Sequence, residues 1–309
     1  MDEPTTLGVI DAGAHQLSVS ATEQADRTSP VVILLPAMGV PATYYRPFIE
    51  NLRERGLTVV GIDFRGHGQS RPRAARGVRF GYQALVDDVD AVVDLVAERY
   101  PRAPRFLVGH SLGGQITMLN AAARPDRVHG TAMLASGSVW FRSFPGSRGI
   151  KNLIGTQFIA VVSTLLGYWP GWSFGGRQPT ALMRDWARMA RTGRWSLTGS
   201  TTDYEKALGE LRLPLLTVTF DGDELAPPSS TDHLAGKAPH AVRTRRHYSL
   251  ADAGAEKLGH FGWVYRSAEL SRWISEWISS CDATAEGPPA QSVRTQPVEA
   301  GPHPADGRT

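Results

Sequence analysis

The chain has 309 residues, is 41% hydrophobic and 20% charged, and carries a net charge of +3. That length accommodates an α/β domain with insertions, the apolar fraction suffices for a sizeable core, and the mild charge gives no footprint for nucleic acid. A single cysteine, Cys281, excludes an internal disulfide.

The opening stretch, Met1 to Thr6, is acidic and polar and lacks the basic start and apolar run of a secretory signal, so a cytoplasmic protein is the expectation. Leu7 to Ser20 reads as a small antiparallel hairpin at a sheet edge. Val31–Leu35 and Leu57–Ile62 are continuous apolar runs, the pattern of strands buried on both faces. From Tyr82 to Arg99, the residues Leu85, Val89, Val92, Val93 and Val96 form one stripe at helical spacing. Arg105–Gly109, Gly130–Ala135 and Leu215–Phe220 repeat the strand pattern, and Ala241–Tyr248 is a weaker, edge-like version. Such alternation predicts a mostly parallel sheet flanked by helices, the α/β class.

The alternation breaks between 142 and 212. This stretch carries Trp169, Trp172, Phe174, Trp186 and Trp195 among glycines, shows no clear strand, and is expected to be a helical lid over the C-terminal edge of the sheet. Its longest apolar run, Phe158 to Trp169, is interrupted by Ser163, Thr164 and Gly167 and is too short for a transmembrane segment. The core is therefore assigned to 1–141 and 213–281. Residues 282–309, rich in proline and glycine, are expected to be a disordered tail.

Chemistry concentrates at Gly109-His110-Ser111-Leu112-Gly113, which follows an apolar strand and opens a helix. A serine hydroxyl becomes a nucleophile when it is held exposed beside a base and beside oxyanion donors, and a strand–turn–helix elbow supplies that geometry. In elbow enzymes an acid and then a histidine follow the serine in chain order. Asp223, just past the strand Leu215–Phe220, is the first choice for the acid, with Asp221 and Glu224 as alternatives. His260, bracketed by Gly259 and Gly262 before the last amphipathic segment (Val264 to Ile278), is the base. His67 is assigned a structural role, His233 a short helix, His247 the edge strand and His303 the tail. The side chain of His110 is expected to point away from the site.

An oxyanion hole needs two backbone N–H groups. Leu112 supplies one at the helix start. The other comes from Pro36-Ala37-Met38-Gly39, where proline has no N–H to give; Met38 is preferred and Ala37 is second. No His or Cys pair has metal-ligand spacing with a third partner, and no glycine-rich phosphate loop stands out, so neither metal nor cofactor is expected.

Together with Asp63-Phe64-Arg65-Gly66-His67-Gly68-Gln69-Ser70 and Phe220 to Pro228, these segments resemble the α/β-hydrolase superfamily, in particular the lysophospholipase/serine-aminopeptidase-like bacterial hydrolases. The resemblance runs from about Leu7 to Ser280. It implies an eight-stranded sheet and the roles of nucleophile for Ser111, orienting acid for Asp223 and base for His260. Pro36-Ala37 stands where the family's usual His-Gly precedes the oxyanion residue.

Serine at the elbow, in place of aspartate, disfavours the epoxide hydrolase and dehalogenase branches of that fold. Hydrolysis of an ester or thioester of an apolar acyl or aryl group is the leading expectation, with a small-molecule acyl substrate. Acyl transfer to another acceptor and non-catalytic ligand binding are the alternatives. Arg65, Arg71, Arg73, Arg76 and Arg79, with no acid before Asp87, suggest either a solvated face or a dock for a coenzyme A or carrier-protein thioester.

Overall fold

The computed structural model describes residues 5–11, 15–172 and 174–285. Eight strands make one sheet: β1 (Thr5–Asp11), β2 (Gln16–Thr22), β3 (Val31–Leu35), β4 (Thr58–Ile62), β5 (Arg105–His110), β6 (Gly130–Leu134), β7 (Pro214–Phe220) and β8 (Val242–Tyr248). Their order is β1-β2-β4-β3-β5-β6-β7-β8. The first two form the antiparallel edge hairpin expected from the sequence, and every pairing from β4 to β8 is parallel.

Helices cover both faces, which is why the central strands read as unbroken apolar runs. Val31, Ile33 and Leu35 of β3 face one core with α2 (Tyr82–Arg99) and α3 (Leu112–Ala123), through residues such as Val89 and Ile116. Val32 and Leu34 face the other, with α1 (Arg46–Glu54) through Phe48 and Leu52.

Between β6 and β7 the chain inserts α4 (Arg148–Leu166), α5 (Thr180–Thr192) and α6 (Tyr204–Glu210). No strand is expected here from the sequence, yet Tyr168–Trp169 and Gln178–Pro179 pair antiparallel as a two-residue ribbon. Asp185 of α5 ties the insertion to the core. Its buried carboxylate accepts from the Tyr82 backbone N–H at 3.3 Å and from the Thr198 N–H and hydroxyl at 3.0 and 2.6 Å. Burial pushes its pKa up, and those hydrogen bonds oppose the rise.

Helix α4 is 19 residues long with a mean hydropathy of 1.3, enough by length and composition to cross a membrane. It nonetheless belongs to the insertion, with Thr156, Ile159 and Ser163 buried on its inner side. Ile150, Ile154, Phe158, Val161 and Leu165, recurring every three or four residues, are each more than half exposed on the other.

After α7 (Pro228–Ala235) and β8, the predicted amphipathic segment divides. Trp263–Arg266 is a 3-10 turn, and the last helix, α8, runs over Ala268–Ala285. The Ser267 hydroxyl, bonded to the Val264 carbonyl at 2.9 Å, sits at the break. Helix α8 thus continues past the tail boundary expected at 282, and the remainder of that tail, 286–309, lies outside the described residues.

Asp185→Ala leaves the Tyr82 and Thr198 donors without their acceptor. We expect a loss of about 1–3 kcal/mol, read as a lower urea midpoint at unchanged slope.

Candidate active site

β5 ends at His110 and α3 begins at Leu112, so Ser111 alone makes the reversal, with φ 54° and ψ −116°. An L-residue in this region is strained and needs a framework to hold it. The Ser111 N–H donates to the Leu134 carbonyl at 3.0 Å, and its own carbonyl accepts from the Ser136 hydroxyl at 2.7 Å. The bracketing glycines are required by close approach. A Cβ on Gly109 would lie 2.2 Å from the Gly113 carbonyl carbon, and one on Gly113 would lie 2.2 Å from the Leu35 carbonyl oxygen. That second contact brings the start of α3 against the end of β3, and so brings Ser111 beside the 36–39 loop.

Of the three candidate acids, only Asp223 meets His260 among the described residues. Its side chain is fully buried, with His260 Nδ1 at 2.9 and 3.0 Å from its two oxygens. The Leu225 and Ala226 N–H groups donate to the same carboxylate, each at 2.9 Å, so the turn after β7 fixes its direction. Asp221 is turned away. It accepts from the Leu250 N–H and pairs with His247 at 2.9 Å, and the Leu250 bond, with His247 assisting, lowers its pKa. Glu224 reaches outward to Arg148 at 2.7 Å.

The two candidates in the 36–39 loop, Met38 and Ala37, differ in whether their N–H is free. Ala37 is spoken for, since its N–H donates to the Tyr45 hydroxyl at 2.9 Å. The N–H groups of Met38 and Leu112 have no partner among the described residues, and both residues line a cavity of about 380 Å³ together with Ser111. Phe144, Ile159, Phe174 and Trp186 supply apolar wall from the insertion, while Arg148 and Lys151 stand at the start of α4. Phe174 stacks on Trp186 at 5.2 Å, which keeps that wall flat.

His110 does not line the cavity, in keeping with the expectation, but it packs on His260. It is fully buried, bonded to Tyr45 through Nδ1 at 2.7 Å, and its ring centre lies 4.9 Å from that of His260. Two further residues were not legible as part of the site. Gln178 donates to His67 Nε2 at 2.7 Å and to the Gly175 carbonyl at 2.5 Å. Gly175 in turn closes on the 36–39 loop so tightly that a Cβ on Gly39 would lie 2.4 Å from its oxygen. His67 therefore clamps the insertion onto the loop that carries Met38. The role assigned to it as structural holds in this specific sense.

The arginines of the 65–79 loop do not converge on the cavity. Arg65 is paired with buried Asp88, and Arg71 and Arg73 donate to carbonyls of their own loop at Gly66, Gly68 and Ser70. Arg65 is neutralised by Asp88, while Arg71 and Arg73 keep their charge and spend donors on bracing the loop. Among the described residues no group of His, Cys, Asp or Glu is placed to hold a metal ion.

The family model for serine aminopeptidase S33 matches residues 26–251. The chain belongs to the serine aminopeptidase S33 family. It is similar to a monoglyceride lipase of Mus musculus, 37% identical over 257 residues that cover 77% of this chain and 80% of the relative. A monoacylglycerol lipase of Mycolicibacterium smegmatis is 33% identical over 231 residues, covering 68% and 77%. Among solved structures, a monoacylglycerol lipase of Paleococcus ferrophilus superposes with a TM-score of 0.57 at 18% identity, covering 86% of this chain and 99% of that one. Est1E of Butyrivibrio proteoclasticus, solved with ferulic acid bound, gives 0.60 at 16%, covering 89% and 99%. These superpositions establish the α/β-hydrolase fold. Within the S33 family the chain is a lipase/esterase-type α/β hydrolase, a carboxylic ester hydrolase.

The clamp has a pH signature. Burial, reinforced by Arg73 and opposed by the Arg65 backbone and Asp63, lowers the His67 pKa from 6.5 to about 4. Below 6.5 the unfolded chain takes up a proton that the folded chain refuses, so this site's contribution is complete above 6.5 and is lost as pH falls toward 4. Wild-type stability should therefore decline over that window by about 1–3 kcal/mol more than that of His67→Gln, measured by urea unfolding at stepped pH.

Proposed function

We propose that the protein hydrolyses esters of an apolar acyl chain with a small polar alcohol, the monoacylglycerol type, through an acyl-enzyme on Ser111. The observation that carries this is the buried Asp223–His260 pair at 2.9 Å beside an apolar cavity lined by Ser111.

In this reading His260 Nε2 accepts the proton of the Ser111 hydroxyl as Oγ bonds to the ester carbon. Asp223 orients the imidazole through Nδ1 and stabilises the imidazolium. The Met38 and Leu112 N–H groups receive the oxyanion of the tetrahedral intermediate. Collapse breaks the bond to the alcohol oxygen, which leaves with the proton from His260. Water, deprotonated by the same imidazole, then attacks the acyl-enzyme and frees the acid and Ser111. The insertion acts as the lid, and its Phe174–Trp186 wall takes the acyl chain. The monoglyceride lipases among the relatives support the substrate class. The outward apolar stripe of α4 supports a substrate met in micelles or bilayers.

Ser111→Ala should lower kcat on a monoacylglycerol by more than about 10⁴-fold and abolish labelling by a fluorophosphonate probe. Asp223→Asn should lower kcat by about 10²–10⁴-fold, with Asp221→Asn near wild type. Retained labelling of Ser111→Ala would remove that serine from the mechanism. Phe158→Ser together with Leu165→Ser should reduce turnover of aggregated monoacylglycerol several-fold while leaving a water-soluble butyrate ester unaffected. Equal loss on both would argue against interfacial supply.

A further inference from the structure

Behind the cavity lies a buried polar chain that the proposed chemistry does not use. The Ala37 N–H donates to the Tyr45 hydroxyl at 2.9 Å, and the same hydroxyl is bonded to His110 Nδ1 at 2.7 Å. Tyr45 and His110 are both fully buried. Burial raises the phenol well above its ordinary range and lowers the imidazole well below its own, so both stay neutral. The three groups come from three places: the loop after β3, the turn Ala42–Tyr45 ahead of α1, and the last residue of β5.

Two successive peptide units give this chain a purpose: Tyr45 holds Pro36–Ala37 through its N–H, and Val40 holds Ala37–Met38 through its carbonyl. The Ala37 N–H is held by Tyr45, and the Ala37 carbonyl accepts from the Val40 N–H at 3.1 Å. In a trans peptide the carbonyl and the following N–H point in opposite directions. Fixing the Ala37 carbonyl toward Val40 therefore aims the Met38 N–H the other way, and that N–H has no protein partner among the described residues while Met38 lines the cavity. The other end of the chain is equally placed. His110 immediately precedes Ser111, and its ring packs against His260 at 4.9 Å and edge-on to Trp263 at 5.2 Å. A neutral ring here adds no charge beside the histidine that must become cationic.

We propose that Tyr45, seated by His110, is a positioning residue that aims the Met38 N–H at the oxyanion, so that its hydroxyl contributes to kcat without touching substrate. This rests on the reading of Ser111 as nucleophile and Met38 as oxyanion donor. Tyr45→Phe keeps the ring in its aromatic surroundings and removes only the oxygen, which frees the Pro36–Ala37 unit to turn and, through the Ala37 Cα, loosens the Ala37–Met38 unit that carries the Met38 N–H. An oxyanion donor is worth about 10²–10³ in rate, and misaiming one forfeits a part of that.

With a soluble p-nitrophenyl butyrate, Tyr45→Phe should lose about tenfold or more in kcat at a KM within about twofold of wild type. The inhibition constant of butylboronic acid, which forms a tetrahedral adduct on serine, should rise by the same factor, while inhibition by butanol should not change. A lowered melting temperature with kcat and boronate inhibition intact would make Tyr45 merely structural and overturn the proposal, as would a loss confined to KM. If Tyr45→Phe does not fold, the pair His110→Leu and His110→Gln replaces it. Leucine, with no acceptor for the phenol, should repeat the loss in kcat and boronate binding, and glutamine should restore it. Equal behaviour of the two would overturn the proposal. Ser111→Ala, run alongside, separates the two readings. Retained turnover there rejects the nucleophile and the positioning role together, whereas dead Ser111→Ala with wild-type kinetics in Tyr45→Phe rejects the positioning role alone.

Discussion

A residue with a left-handed backbone has to be held in place, and the whole site is built around holding one. Ser111 at φ 54° carries strain of about 1–3 kcal/mol, a sizeable fraction of what a folded domain has to spare. The restraint comes from β6 through Leu134 and Ser136, and from the absence of Cβ atoms at Gly109 and Gly113. Those two glycines let the chain cross itself at contact distance and seat α3 against Leu35. Everything else in the site is arranged relative to that crossing.

Around the bend, buried polar groups do the aligning, because only satisfied hydrogen bonds can fix direction in an apolar interior. Asp223 is oriented by two N–H groups of its own turn before it orients His260. Gln178 and His67 hold the insertion against the Met38 loop from above, and Tyr45 holds the same loop from below. The apolar cavity wall is separate from these devices and comes largely from the insertion.

Much of this was legible in the residues. The continuous apolar runs announced a sheet covered on both faces, and Leu7–Ser20 read correctly as its edge hairpin. Elbow and acid each fall at a strand end and the histidine in a glycine-flanked turn before the last helix, so chain order brings Ser111, Asp223 and His260 into consideration. What stayed hidden depends on contacts between distant segments. The sequence ranks Asp223 ahead of Asp221 and Glu224 without excluding them, and only the fold shows that His247 takes Asp221 and Arg148 takes Glu224. His110 is turned away from the cavity as a tight turn predicts, and only the fold shows that it faces Tyr45, sixty-five positions earlier. Gln178 carries no motif at all. The arginine-rich loop is conspicuous for the opposite reason: Asp88 pairs Arg65, Arg71 and Arg73 brace their own loop, and none of its arginines lines the cavity.

The attachment of the insertion has a consequence for how such a protein changes over time. Phe144, Ile159, Phe174 and Trp186, which shape the cavity, all lie between two adjacent strands of the sheet, β6 and β7. Ser111, Leu112, Asp223 and His260 all lie outside that interval. In the proposed mechanism the reacting groups and the acyl-binding wall are thus encoded in separable stretches of chain. A descendant could exchange its acyl-binding wall wholesale, by drift or by recombination at the two strand ends, and keep the same bond-breaking apparatus, provided the replacement still offers an Asp185 to Tyr82 and a Gln178 to His67.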